Sequence, residues 1–225
     1  MRNSSWFTAV AGVFITALIV SNIVAVKLMD VGGLVLPAAV VVFPISYIVG
    51  DVLTEVYGYS QARRVIWLGF ACNLLAVAAI WVAGAMPPAV FWAPNQAAFD
   101  TILGYTPRLL AASFAAYLVG EFANAAVLAK MKVVTKGRFL WTRTIGSTFV
   151  GQGLDSAVFI TLAFAGMMPL AVLPVTIVTQ WLFKTAYEVA ATPVTYLVVG
   201  WLKRVEGLDV FDEKTRLNPF AVAES

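Results

Sequence analysis

Apolar residues occur in six long runs, separated by polar or proline-containing connections. Each run has about 20 residues or more, which is the length that an α-helix needs to cross the hydrocarbon core of a bilayer. The pattern therefore predicts an all-α integral membrane protein, a compact bundle of six transmembrane helices. The predicted helices cover residues 6–26, 34–57, 63–85, 105–129, 145–167 and 170–202.

Two connections are longer than the rest and predict structure outside the bilayer. Residues 86–104 combine prolines with aromatic side chains, which is typical of an ordered loop at the membrane interface. Within this loop, residues 95–103 could form a short helix that ends at Gly104. The second connection, residues 130–144, is basic and is interpreted as a determinant of topology rather than as a nucleic-acid site.

The distribution of lysine and arginine predicts the orientation. Of the 15 Lys and Arg residues, 12 share one side of the membrane if the N-terminus is cytoplasmic. Because positive charge accumulates on the cytoplasmic side, both termini are predicted to be cytoplasmic. Residues 1–204 then form the transmembrane domain. Residues 205–225 form a cytoplasmic tail, expected to be a solvated extension.

Charged and amide residues interrupt four of the apolar runs. They come in pairs three or four positions apart, so both members of a pair share one face of a helix. An ionisable group at membrane depth costs at least about 2.5 kcal/mol, and such groups are therefore rare unless they line a pathway or a pocket. The pairs are Asp51 and Glu55, Glu121 and Asn124, Gln152 and Asp155, and Lys184 and Glu188.

These polar faces predict a pocket inside the bundle. One alternative is an ion-pair network that only fixes the register of the helices, but interhelical polar bonds contribute only about 0.6 kcal/mol on average in a membrane. A second alternative concerns Glu55, which could lie at the cytoplasmic interface and simply be hydrated. The predicted lining residues are Asn22, Tyr47, Asp51, Glu55, Glu121, Asn124, Gln152, Asp155, Gln180, Lys184 and Glu188.

The residue types indicate the chemistry of a ligand. Carboxylates accept hydrogen bonds from paired N–H groups, amides both donate and accept, and aromatic rings supply flat faces. The set suits a small, flat, N–H-rich heterocycle or a cation, and suits a phosphate or a large lipid poorly.

Composition excludes several other kinds of site. The chain has no histidine, so a histidine proton relay, a histidine-bound metal and a Ser-His-Asp triad are excluded. The single cysteine, Cys72, cannot form an intrachain disulfide. We predict no cofactor, no metal site and no enzymatic activity. An intramembrane protease with Asp51 and Asp155 as its carboxylate dyad is an alternative that we do not favour.

Five stretches carry motifs: SNIVAVK at 21–27, FPISYIVGDVLTEVYGY at 43–59, LVGEFANAAVLAKMK at 118–132, RTIGSTFVGQGLDS at 143–156 and KTAYEVAATPVTYLVVGWLKR at 184–204. Together they resemble the queuosine precursor transporter family, also called the vitamin uptake transporter family. The resemblance implies import of 7-cyano-7-deazaguanine or 7-aminomethyl-7-deazaguanine across the bacterial inner membrane for tRNA queuosine salvage. It also implies a fold similar to the substrate-binding subunits of energy-coupling-factor transporters.

A 7-deazaguanine fits the predicted pocket chemistry. Its N1–H and exocyclic amine can donate a bidentate pair to a carboxylate, for which we favour Glu121 or Asp155. The fold resemblance suggests an alternative, a substrate-capture subunit that needs a separate ATPase module. The chain has no Walker A motif, so it cannot hydrolyse ATP alone in the usual way. Proton coupling through the carboxylates and facilitated diffusion both stay open. A homo-oligomer is also open, although small residues such as Gly120 could pack helices together.

Overall fold

Helices dominate the computed structural model, which describes residues 5–31, 34–104, 107–166, 169–213 and 215–220. The all-α prediction is confirmed, apart from one short β-hairpin. The α-helices of the described chain are α1 (Ser5–Val24), α2 (Phe43–Val52), α3 (Tyr59–Ala85), α4 (Gln96–Leu103), α5 (Pro107–Val134), α6 (Leu140–Phe164) and α7 (Val172–Glu206).

Four of these helices are long and apolar enough to cross a membrane: α1, α3, α5 and α6. They correspond to the predicted first, third, fourth and fifth spans. Helix α7 has 35 residues, but positions such as Gln180, Lys184 and Glu188 make it more polar than the other four. Around the bundle, Leu75, Trp81 and Leu197 are each at least 70% exposed, as expected for side chains that face lipid.

The second predicted span, residues 34–57, is divided into several short elements. Strands β1 (Leu28–Val31) and β2 (Leu34–Pro37) pair in antiparallel fashion, with Met29 opposite Leu36. A 3-10 turn follows at Ala38–Val41, and α2 has only 10 residues. Helix α2 continues directly into a π-helical turn, Leu53–Tyr57, which carries Glu55. The prediction of one continuous helix is therefore wrong here, because strand β2 occupies the first four residues of the span and the helix type changes twice in the rest.

The predicted short helix in the 86–104 loop is confirmed. Helix α4 lies within one residue of the predicted bounds and is followed by Gly104. The Trp92 and Phe99 rings meet edge to face, with centroids 6.1 Å apart. This aromatic contact orders the loop between α3 and α5.

Close packing of α5 on α6 depends on two glycines. A Cβ atom added at Gly120 of α5 would lie 2.8 Å from the Cβ of Asp155, and one added at Gly151 of α6 would lie 2.8 Å from the Cβ of Asn124. Such distances are too short for carbon atoms, so only glycine allows this approach. The approach brings Asn124 and Asp155, which belong to different helices, into one polar region.

The C-terminal tail packs on the ends of the helices. The Asp209 carboxylate is 2.6 Å from the Lys132 ammonium, and the Asp212 carboxylate accepts a 2.9 Å hydrogen bond from the Tyr59 backbone N–H at the start of α3. The Trp67 indole donates to the Pro219 carbonyl at 2.9 Å. The prediction of a solvated extension is therefore wrong, because the tail supplies acceptors to donors left at the helix ends.

Candidate functional site

A cavity of about 490 Å³ lies between α1, α2, α5, α6 and α7. Its volume is within the range of about 300–1,000 Å³ that is typical of small-molecule sites. Six of the predicted site residues line it: Asn22, Gln152, Asp155, Gln180, Lys184 and Glu188.

Helical spacing explains why α6 and α7 each present several polar groups to the cavity. Gln152 and Asp155 are three residues apart on α6, and Gln180, Lys184 and Glu188 recur every four residues on α7. On the opposite side, α5 contributes small side chains that leave space. Aromatic rings complete the wall: Phe43, Phe159, Phe183 and Tyr187.

Asn22 belongs to a polar contact between helices. Its side-chain amide donates to the Asn73 side-chain oxygen at 3.1 Å, which connects α1 with α3 behind the cavity. Both residues come from apolar runs, and Asn73 is buried. The contact fixes the position of Asn22 at the cavity wall.

Lys184 and Asp155 form an ion pair at the cavity. The Lys184 ammonium is 2.5 Å from the Asp155 carboxylate and 4.6 Å from the centroid of the Phe43 ring. The carboxylate and the ring face both stabilise the positive charge. Asp155 is thus neutralised by a neighbour on α7.

Besides the Ser21 hydroxyl, three acceptor atoms at the cavity have no hydrogen-bond partner in the described part of the chain. They are the side-chain carbonyl oxygens of Gln152 and Gln180 and one carboxylate oxygen of Glu188. A buried polar group without a partner costs about 1–3 kcal/mol. The wall is therefore suited to a ligand that brings N–H or O–H donors.

A second polar group lies behind the cavity wall. The Asn124 side-chain amide donates to one Asp51 carboxylate oxygen at 2.8 Å, and both residues are fully buried. Glu121 is 1% exposed, and Tyr47 is equally buried. These four predicted site residues do not line the cavity but are packed against it from α2 and α5.

Glu55 lies in a different cluster. Arg143 donates two hydrogen bonds to its carboxylate, each 2.7 Å long, and the Lys203 ammonium is 2.6 Å from the same group. Lys132 is 3.6 Å away and also donates to the Glu55 backbone carbonyl. Glu55 is fully buried, so the hydrated-interface alternative does not describe it. Its two oxygens are held by cations, and it does not reach the cavity.

Asp209 of the tail completes this Glu55 cluster. Its carboxylate contacts Lys132 at 2.6 Å and Lys203 at 2.8 Å. Partial burial raises the pKa of the Asp209 carboxyl, but the hydrogen bonds from the two lysines lower it below its ordinary value overall. The tail is thereby fastened to the ends of α5 and α7.

The sequence interpretation missed the three cations of the Glu55 cluster. It assigned Lys132, Arg143 and Lys203 to topology alone, although Lys132 and Arg143 are at most 1% exposed. One signal was available: a carboxylate at the end of an apolar run needs cations at the same depth. These three residues lie near the end of α5, the start of α6 and the end of α7, respectively.

The protease alternative finds no support in this geometry. Asp51 is hydrogen-bonded to Asn124 behind the cavity, whereas Asp155 is paired with Lys184 at the cavity wall. An aspartyl dyad requires two carboxyls that share one proton. Each aspartate instead has its own partner.

Comparisons with known proteins agree with the membrane architecture. Residues 37–198 match the family model described as "Putative vitamin uptake transporter". A curated protein of Bacillus subtilis (strain 168), named "Probable queuosine precursor transporter", is 29% identical over 186 residues, which cover 80% of this chain and 79% of that protein. No solved structure matches the chain. The matched range includes the polar faces of α6 and α7. The chain therefore belongs to the vitamin uptake transporter family, as a multi-pass membrane transporter rather than an enzyme.

Proposed function

We propose that the protein imports 7-cyano-7-deazaguanine or 7-aminomethyl-7-deazaguanine across the bacterial inner membrane for tRNA queuosine salvage. One structural observation carries the proposal: unpartnered acceptors and aromatic rings line the same cavity of about 490 Å³. The name of the Bacillus subtilis relative supports the same class of substrate.

The hydrogen-bonding edge of a deazaguanine complements this wall. Its N1–H and exocyclic amine are two parallel donors, and the Glu188 carboxylate is an acceptor with a free oxygen at the cavity. The amide groups of Gln152 and Gln180 can donate to O6 of the base and accept from other ring N–H groups. We therefore assign the bidentate contact to Glu188 instead of Glu121, which lies behind the wall, or Asp155, which is paired with Lys184.

The aromatic side chains suit the flat ring of the same substrate. Phe43, Phe159 and Phe183 lie on different helices around the cavity, so a planar heterocycle can stack on a ring while its edge meets the polar groups. Stacking of a base on an aromatic ring contributes about 1–3 kcal/mol. Stacking does not depend on the substituent at position 7, so the two precursors are both accommodated.

The orientation that we propose has six spans and cytoplasmic termini. Helix α2 with its π-helical turn supplies the second span, and α7 supplies the sixth. The cavity then lies toward the outer face, because it is lined by the end of α1 and the start of α7. The Glu55 cluster and the packed tail lie at the cytoplasmic end. This arrangement corresponds to a transporter that is closed toward the cytoplasm.

Uptake in cells tests the proposal. A strain that cannot synthesise the precursor is supplied with it at nanomolar concentration, and queuosine in tRNA is measured. We expect Glu188→Gln to lower queuosine at least about tenfold, since loss of a hydrogen bond to a charged group costs about 1.5–3 kcal/mol. Glu213→Gln, which removes the same charge from the exposed tail, should have no effect. Unchanged queuosine after deletion of the gene would refute the function.

Reconstitution distinguishes a self-sufficient transporter from a substrate-capture subunit. The purified protein is placed in liposomes without any partner, and exchange of labelled for unlabelled precursor across the membrane is followed. We expect exchange by the protein alone. Binding without exchange, restored by an ATPase module, would instead indicate the capture subunit.

A further inference from the structure

Carboxylates outnumber cations in the interior of the bundle. Asp51, Glu121, Asp155 and Glu188 are each at least 94% buried, and Lys184 is the cation that accompanies them. The other buried cations of the described chain lie elsewhere. Arg63 donates to tail carbonyls, while Lys132 and Arg143 surround Glu55.

Several acceptors in the same interior have no hydrogen-bond donor. Of the buried side-chain atoms without a partner among the described residues, six are carboxylate or amide oxygens, which only accept, and five are hydroxyl groups. The set includes one carboxylate oxygen each of Asp51, Glu121 and Glu188, and the side-chain carbonyl of Asn124. A proton on a carboxyl group corrects both imbalances at once, since it removes a negative charge and supplies an O–H donor.

We propose that Asp51, Glu121 and Glu188 bind protons, and that substrate import is coupled to proton entry through these three carboxyls. This inference rests on the proposed function and adds its energy source. Asp155 and Glu55 are excluded from the set, because Lys184 and Arg143 hold each of them as an ion pair.

The three carboxyls form a route from the cavity toward the cytoplasmic end. Glu188 lines the cavity and is the group that a proton from outside reaches first. Asp51 lies behind it, within electrostatic range of Glu188, Glu121 and Glu55. Asp51 and Glu55 are four residues apart, about one helical turn. The route thus ends at the Glu55 cluster.

Other titratable groups around this route have fixed roles. Tyr117 of α5 faces Glu121, but its hydroxyl donates to the Ile66 carbonyl at 3.0 Å. Tyr47 of α2 is fully buried beside Glu121, Asp155 and Glu188. Neither phenol brings a positive charge, so the negative charges of the three carboxyls are not balanced by their surroundings.

Proteoliposomes separate transport from coupling. The first assay measures exchange of labelled 7-cyano-7-deazaguanine at equal pH on both sides. The second measures its accumulation when the medium is one pH unit more acidic than the lumen, with the membrane potential clamped. With one proton per substrate, we expect the wild-type protein to accumulate the base about tenfold, because one pH unit is a tenfold difference in proton activity.

Two variants assign the coupling to the carboxyls. Asp51→Asn and Glu121→Gln resemble permanently protonated side chains, so we expect both to retain exchange and to lose accumulation. Glu213→Gln in the exposed tail should retain both activities.

Each remaining result has a defined meaning. Wild-type exchange without pH-driven accumulation, or accumulation driven by a sodium gradient instead, overturns the proton inference and leaves the transport function intact. No exchange of either precursor overturns the proposed function itself. If both variants fail to fold, the response of the wild-type protein to the pH gradient still decides the question.

Discussion

Replacing Arg143 by methionine should destabilise the protein by about 3 kcal/mol. Removal of one partner from a buried ion pair typically costs about 3–5 kcal/mol, because the other charge stays buried without compensation. In this protein Arg143 provides two hydrogen bonds of 2.7 Å to Glu55, but Lys203 remains 2.6 Å from the same carboxylate. Lys203 and Lys132, which is 3.6 Å from the same carboxylate, compensate part of the loss, and this places the expected value at the lower end of the range.

The measurement is the apparent free energy of unfolding in a mixed-micelle denaturant titration. Arg138→Met is a matched control, since it removes the same charge from an exposed position just before α6 and should change stability by less than about 0.5 kcal/mol. A loss below about 1 kcal/mol for Arg143→Met would refute the reasoning. Such a value is typical of a solvent-exposed pair and would place Glu55 at a hydrated interface.

Three further predictions concern other parts of the fold. Gly120→Ala should destabilise the α5–α6 contact by about 1–3 kcal/mol and lower uptake, since its Cβ would meet Asp155. Gly200→Ala, in open space within α7, should cost no stability in the same denaturant titration and could add up to about 1 kcal/mol, because alanine favours a helix more than glycine does. Lys184→Met should abolish measurable precursor binding in a calorimetric titration, because Asp155 would lose its cation and the cavity wall would rearrange. Asp209 has a lowered pKa, so its contribution to tail packing is present above the ordinary carboxyl pKa and is lost as pH falls through the lowered value. Hydrogen exchange of the tail should therefore increase below about pH 4. A tail that is protected to the same degree at every pH would contradict this expectation.

The apolar runs predicted the helices well where the chain forms one continuous α-helix, without strands or other helix types. Helices α1, α3, α5 and α6 needed only length and hydrophobicity, which a single sequence displays. The second span differs because its first four residues form strand β2 and a 3-10 turn follows, so that Pro44 and Gly50 fall within a short helix that continues into a π-helical turn. Mean hydropathy cannot detect that division.

Helical spacing predicted which residues share a face, but not which neighbour that face meets. The polar faces of α6 and α7 line the cavity, because each faces the space between the helices. The faces of α2 and α5 instead meet each other, and Asn124 binds Asp51 behind the wall. That distinction depends on the close approach at Gly120 and Gly151, which is a property of the packed pair of helices.

The prediction of a solvated tail was wrong because it considered the charged residues of the tail without the groups that they contact. A stretch with Asp209, Asp212 and Glu213 is polar enough to be solvated. Its carboxylates and carbonyls nevertheless match unsatisfied donors at the start of α3 and at the ends of α5 and α7. Whether a polar segment packs thus depends on donors at other places in the sequence: Tyr59 is 153 residues from its partner Asp212, and Lys132 is 78 residues from Val210.

The Glu55 cluster differs from the carboxyls at and behind the cavity in how many of its oxygens have hydrogen-bond partners. We infer from this difference that the cluster stabilises the fold and that the other carboxyls serve transport. At Glu55 both carboxylate oxygens are held by cations, so the cluster is complete without any ligand. At Glu188 and Asp51 one oxygen each has no donor in the described chain. Unpartnered buried groups cost free energy in the resting protein, and we propose that they find partners during transport: the N–H edge of the substrate at Glu188 and a proton at Asp51. Substitutions at Glu55 should therefore change stability first, whereas substitutions at Glu188 and Asp51 should change transport first.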